Sequence, residues 1–113
     1  MHEASLVTAL LDRAEEEARA HGAVAITRVT VRIGELAGVE PELFRSAYEL
    51  LREPTLCAGA ELVLSSSPVR WSCSRCATEI APGRPLRCPR CDAPARLASG
   101  DEILLERLEL EVA

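Results

Sequence analysis

Four cysteines fall in two Cys-x-x-Cys pairs, Cys73 with Cys76 and Cys88 with Cys91, separated by eleven residues. This spacing suits one tetrahedral zinc ion: each pair sits on a tight turn that aims two sulfurs at a point, and the short loop folds the second pair against the first. At least this segment is expected to fold around a metal. Two disulfides or a pair of redox dithiols are the competing uses of the same residues. The chain opens Met1-His2-Glu3 with no basic stretch and no cleavable apolar core, so a soluble, cytoplasmic protein is expected and disulfides are not.

Charge divides the chain in the same place. There is no lysine, all 13 basic residues are arginine, and the net charge of −5 gives no overall attraction to nucleic acid. From Arg70 to Arg96, however, six arginines face only Glu79 and Asp92, which makes that segment +4 and leaves −9 elsewhere. Zinc held by four thiolates carries −2, and the arginines are expected to offset it through hydrogen bonds and their field. The alternative is a basic ribbon for RNA or DNA, against which stands the single aromatic, Trp71, available there for stacking on bases. No apolar run approaches the ~20 residues of a membrane helix.

Around the cysteine segment the periodicity alternates between helix and strand. Leu6, Val7, Leu10, Leu11, Ala14 and Ala18 recur at helical spacing between Glu3 and Ala20, and His21-Gly22 supplies a favourable terminal charge and a stop. Arg28 to Ile33 alternates without a break, with Val29, Val31 and Ile33 inward. A second helix opens at Pro41 with an apolar face of Leu43, Phe44, Ala47, Leu50 and Leu51, and ends before Pro54. A second strand runs from Glu61, with Leu62 and Leu64 inward, to an edge or break at Pro68. A third carries Leu108, Leu110 and Val112, its start blurred by Ile103-Leu104-Leu105. The expected fold is α+β: a two-layer sandwich of two helices on a three-stranded sheet, with an inserted four-cysteine zinc-ribbon-like module. Residues 1–70 plus 99–113 form one domain and 71–98 the other.

Residues for enzymatic catalysis are missing. The only histidines are His2 and His21, and His21 is accounted for by its helix end. A phosphate loop would need a lysine. Cys57 stands alone with no histidine near it in sequence and reads as a small buried hydrophobe, while Glu15, Glu16 and Glu17 read as a solvated helix face. A closed four-thiolate site offers no coordination position for substrate water. His2 is different. Beside the Met1 α-amine its imidazole can join a planar set of nitrogen donors suited to Ni(II) or Cu(II), with Glu3 adjacent and Glu40 brought near if the two helix starts meet. The competing reading makes Met1-His2-Glu3 a plain helix start, with Glu3 favoured there by the macrodipole.

Taken together, Met1-His2-Glu3, the strand end Arg32-Ile33-Gly34-Glu35-Leu36, the helix start Glu42-Leu43-Phe44, Cys73-x-x-Cys76 with Cys88-Pro89-x-Cys91, and Gly100-Asp101-Glu102 resemble the HypA/HybF family of hydrogenase maturation factors over essentially the whole chain. The resemblance implies a nickel metallochaperone for [NiFe]-hydrogenase, not an enzyme. It implies transferred Ni(II) on His2 with Met1 and Glu3, and structural Zn(II) on Cys73, Cys76, Cys88 and Cys91. Glu40 stands where some relatives place a further aspartate ligand. It further implies a HypB-type GTPase and the hydrogenase large subunit as partners, no nucleic acid or membrane, and a monomer or homodimer. A zinc-ribbon nucleic-acid-binding or regulatory interaction module is the alternative.

Overall fold

The structure, a computed structural model, describes residues 2–113. Helix α1 (His2–Ala20) leads into strand β1 (Ala23–Gly34), and helix α2 (Pro41–Leu51) connects β1 to β2 (Glu61–Ser67). The chain then builds β3 (Arg70–Cys73), β4 (Glu79–Ile80) and β5 (Ala95–Ser99) before β6 (Ile103–Val112) returns to the first sheet. The strands form two separate sheets, ordered β2-β1-β6 and β4-β3-β5. The two-helix, three-stranded sandwich with an inserted cysteine module is therefore as expected. The three-stranded sheet of the insert was not foreseen, since its strands are too short to carry a period.

β1 is the axis of the first sheet. It runs parallel to β2, a pairing that requires a crossover, and α2 supplies it. On its other side it runs antiparallel to β6. Val29, Val31 and Ile33 turn inward as their alternation predicts, onto Val7, Leu10, Leu11, Ala14 and Ala18 of α1. The opposite face is charged and paired: Arg28 reaches Glu61 and Glu109, both at 3.0 Å, and Arg32 bonds Glu106.

Bulges explain where simple alternation fails. Glu106 of β6 is an extra residue opposite the Thr30–Val31 step, so Leu105 and Leu108, three apart, both pack on the core. Thr27 plays the same part in β1, allowing Ile26 and Val29 to be inward together. The face of α2 also differs from expectation. Phe44 and Tyr48 are wholly buried, whereas Leu43 is 56% and Leu50 80% exposed. Tyr48 was not foreseen as core; its hydroxyl donates to the Ala60 carbonyl at 2.9 Å, which satisfies its polar end and lets the ring enter. Burial pushes that phenol up to about 12. Glu15 is likewise no solvated side chain: its carboxylate accepts from the Leu56 amide at 3.0 Å and holds the loop after α2.

The radius of gyration is 17.8 Å, against about 13 Å for a compact domain of this length. The excess arises because the two sheets meet only through a crossing of chain segments. There the Gly34 amide donates to Glu102 O at 2.7 Å, Leu36 to Gly100 O at 2.6 Å, and Glu35 to Ser67 O at 3.0 Å. The Glu35 carboxylate accepts from Val69, and that of Glu102 accepts from Gly100 and Ser67. Hydrogen bonds from its own and the Gly100 backbone hold the Glu102 carboxyl below its ordinary range.

A Cβ on Gly34 would lie 2.2 Å from the Gly100 carbonyl oxygen, whereas one on Gly59 would meet nothing within 4 Å. Gly34→Ala is therefore expected to destabilise by about 2–3 kcal/mol, and Gly59→Ala to stay within about 0.5 kcal/mol of the parent, both measured by urea unfolding.

Candidate metal centres

The two Cys-x-x-Cys turns are built alike. In the first, Cys73 donates its amide to Thr78 O at 2.8 Å and Ala77 donates back to Cys73 O at 3.2 Å; in the second, Cys88 donates to Ala93 O at 2.9 Å and Asp92 to Cys88 O at 3.0 Å. Each turn closes on a left-handed residue just after its second cysteine, Ala77 and Asp92, both at φ 61°. Alanine in that conformation costs about 1–2 kcal/mol, which the surrounding turn must hold in place.

The turns bring Cys73, Cys76, Cys88 and Cys91 together with every sulfur within 4.8 Å of the others. Three of the separations are 3.4, 3.7 and 3.9 Å. Tetrahedral zinc with bonds of about 2.3 Å sets its sulfurs about 3.8 Å apart, so the quartet matches the size of that ion. A disulfide would need about 2.05 Å, and all five cysteines are free. Backbone amides supply most of the hydrogen bonds to the sulfurs: Arg75 and Cys76 donate to Cys73 Sγ, and Arg90 to Cys88 Sγ, each at 3.3 Å, while Cys76 Sγ lies 3.1 Å from the Thr78 hydroxyl. Among the described residues no guanidinium donates to a sulfur. The expected hydrogen-bonding role of the arginine side chains is thus filled by the turns' own N–H groups, which already point at the sulfurs.

Electrostatics inside the quartet call for a cation. Hydrogen bonding from Thr78 pulls the Cys76 thiol down to about 6. The Cys76 amide lowers Cys73 as well. Cys91 moves the other way: the Ala93 amide favours its thiolate, but the neighbouring sulfurs and desolvation outweigh it and push the thiol up to about 11. Four anions cannot crowd here alone, and a divalent ion among them relieves the conflict. Cys57 lies apart from this cluster, fully buried in the main core, where burial raises its thiol.

The second candidate lies at the far end of the fold. His2 is exposed on the first turn of α1. Glu3 reaches across to α2, its Oε2 accepting from the Glu40 amide at 3.2 Å. That bond holds the Glu3 carboxyl below its ordinary value of 4.5. Glu40 is the residue before α2; its carboxylate makes no capping bond and is exposed. The structure thus ties Glu3 of the first turn of α1 to the backbone before α2, while among the described residues the cysteine quartet alone gathers metal-binding side chains at one point. Met1 lies outside the described residues. His21 sits at the helix end as expected, its Nδ1 2.9 Å from Glu17 O.

Comparisons with known proteins identify the family. The family model described as "Hydrogenase/urease nickel incorporation, metallochaperone, hypA" matches residues 1–110. A hydrogenase maturation factor HypA from Wolinella succinogenes is 41% identical, with 98% of this chain and 96% of the relative covered. One from Aquifex aeolicus is 37% identical, with 99% of both covered. Among solved structures, the nickel metallochaperone HypA from Helicobacter pylori superposes with a TM-score of 0.78 at 32% identity, covering 98% of each chain. A second HypA solution structure gives 0.85 at 32% identity, covering all of this chain and 98% of the other. The length and the fold are shared, and the chain belongs to the HypA family of nickel-incorporation metallochaperones.

Proposed function

We propose that nickel is carried by His2, with the Met1 amine and Glu3 as companions and Glu40 as a further donor, while Cys73, Cys76, Cys88 and Cys91 hold a structural zinc. The contact between Glu3 and the Glu40 amide carries this reading, because it ties the turn that carries the nitrogen donor His2 and the oxygen donor Glu3 to the residue before α2. Such donors suit Ni(II), and soft thiolates suit zinc. Each metal therefore has a site of its own chemistry.

The difference in enclosure matches the difference in role. Four thiolates leave zinc no open position, so it stabilises its module and turns over no substrate. An exposed histidine on a terminal turn surrounds an ion only in part, which leaves room for an acceptor's ligands to replace its own. Delivery then needs no catalysis. We infer a cytoplasmic carrier, not an enzyme, that receives help from a HypB-type GTPase and hands nickel to the large subunit of [NiFe]-hydrogenase. Residues 1–70 with 99–113 would form the nickel domain and 71–98 the zinc domain. The segments near Trp71 and Gly100 would join them, and a change of orientation there on docking is part of this proposal.

Calorimetry on His2→Ala is expected to show nickel affinity reduced by more than about tenfold, since even outer partners of a metal ligand are worth that much, with zinc content and melting unchanged. Equal nickel affinity would refute the assignment. Cys73→Ser is expected to release zinc, worth ~10–16 kcal/mol of apparent binding energy in such sites, and to lose amide protection across residues 71–98 while the main core stays protected. Full zinc stoichiometry with native exchange in that variant would contradict a structural role.

A further inference from the structure

Helix α2 is amphipathic on two sides, and only one of them is used. Of its eleven residues, Phe44 and Tyr48 alone are fully buried. Leu43, Ala47 and Leu50 follow one another at spacings of four and three, so they share a row on the helix surface. That row faces outward. Leu43 and Leu50 are exposed, and Leu50 is the most exposed of the large apolar side chains among the described residues. Ala47, half-buried between them, leaves a shallow floor. Two leucines set seven apart over a small residue form the kind of surface into which a facing helix inserts a side chain. An extended segment would instead need an open strand edge, which a helix does not offer.

The charge beside this row has one sign. Glu42 and Glu49, also seven apart, are exposed and lie on one flank of it, and the exposed Glu53 follows just past the helix end. Among the described residues Glu42 and Glu53 have no cationic partner, and Glu49 has only Arg52, at 3.0 Å. Both arginines of the segment are turned to the body beneath. Arg45 donates to the Leu62 carbonyl, while Arg52 donates to the Ala60 carbonyl at 2.7 Å and lies 5.6 Å over the Tyr48 ring. From Glu40 to Glu53 four glutamates stand against two arginines, within a body that is −9 outside the cysteine lobe. Nucleic acid and an anionic membrane are repelled by this surface. A second copy of the chain would bring the same glutamates to it.

We propose that the outer face of α2 is a docking site for a basic amphipathic helix of a partner polypeptide, which packs an aliphatic side chain over Ala47 between Leu43 and Leu50 and sets lysine or arginine against Glu42 and Glu49. The docking stands whether or not nickel binds at His2.

Fluorescence anisotropy on the full zinc-loaded chain tests this with a fluorescein-labelled peptide of Leu and Lys, its leucines at helical spacing. The same composition scrambled to remove the apolar face, a version with a central proline, a version with Glu for Lys, and a labelled single-stranded oligonucleotide serve as comparisons. The amphipathic Leu/Lys peptide is expected to bind best, and the scrambled and proline versions about tenfold more weakly. Leu43→Ser with Leu50→Ser is expected to weaken binding about tenfold or more. Glu42→Gln with Glu49→Gln is expected to weaken it several-fold and to flatten its salt dependence. Leu104→Ser, at an exposed leucine of β6, should bind as the parent does, and melting and zinc content should be unchanged in all three variants. Equal binding by the parent and the leucine variant, absence of binding included, overturns the proposal. So does a scrambled, proline or acidic peptide that binds as tightly as the amphipathic one. Tighter binding of the oligonucleotide overturns it in favour of nucleic acid. Self-association that the leucine variant abolishes and the peptide cannot displace overturns it in favour of a second copy of the chain.

Discussion

The close approach of Gly34 to Gly100 fixes how the molecule is put together. With no side chain on either residue, the end of β1 and the entry to β6 come within direct backbone hydrogen bonding, and the chain leaving β2 is bound at the same place through Ser67 and Val69. Gly100 is further confined, at φ 112° with its Cα hydrogen facing the Val69 backbone. Both passages between the sheets run through this knot. The register of β1 with β6 and the exit of the cysteine lobe are therefore set together, by contacts in which Glu35 and Glu102 serve as acceptors for the Val69 and Gly100 amides.

On either side of the knot the chain solves a different problem of charge. In the lobe, four sulfurs sit so close that their ionisation is mutually opposed, one thiol held near 6 and another near 11. A soft divalent ion resolves this and closes the site. At the other end, α1 and α2 start side by side and a carboxylate already links them. The donors there are nitrogen and oxygen, exposed and few. On the proposed reading the two would serve different ends: one metal that stays and shapes a module, and one that must leave.

Much of this was legible in the sequence, and the misses have definite causes. The cysteine spacing led to the quartet because a turn of fixed size makes local geometry nearly independent of the rest of the fold. Val29, Val31 and Ile33 were readable because their strand is regular there. Two neighbouring stretches were not, since single extra residues at Thr27 and Glu106 shift the phase without leaving a mark in composition. Tyr48 was missed in favour of Leu43 and Leu50 because hydrophobicity alone does not know that the Ala60 carbonyl waits for a hydroxyl. Glu15 was misread for a similar reason: its partner, the Leu56 amide, lies 41 residues on. Glycines 34 and 100 stood out in family motifs, but their meeting is a long-range fact that only the fold supplies.

The central claim is that the two metals are separated by ligand chemistry, nickel on nitrogen and oxygen at the start of α1 and zinc on four sulfurs in the lobe. X-ray absorption at the nickel and zinc edges of the doubly loaded protein tests it most directly. The account predicts nickel scattering from light donors including an imidazole, with no sulfur shell, beside zinc with four sulfurs. Sulfur in the nickel shell, or fewer than four sulfurs at zinc, would contradict it.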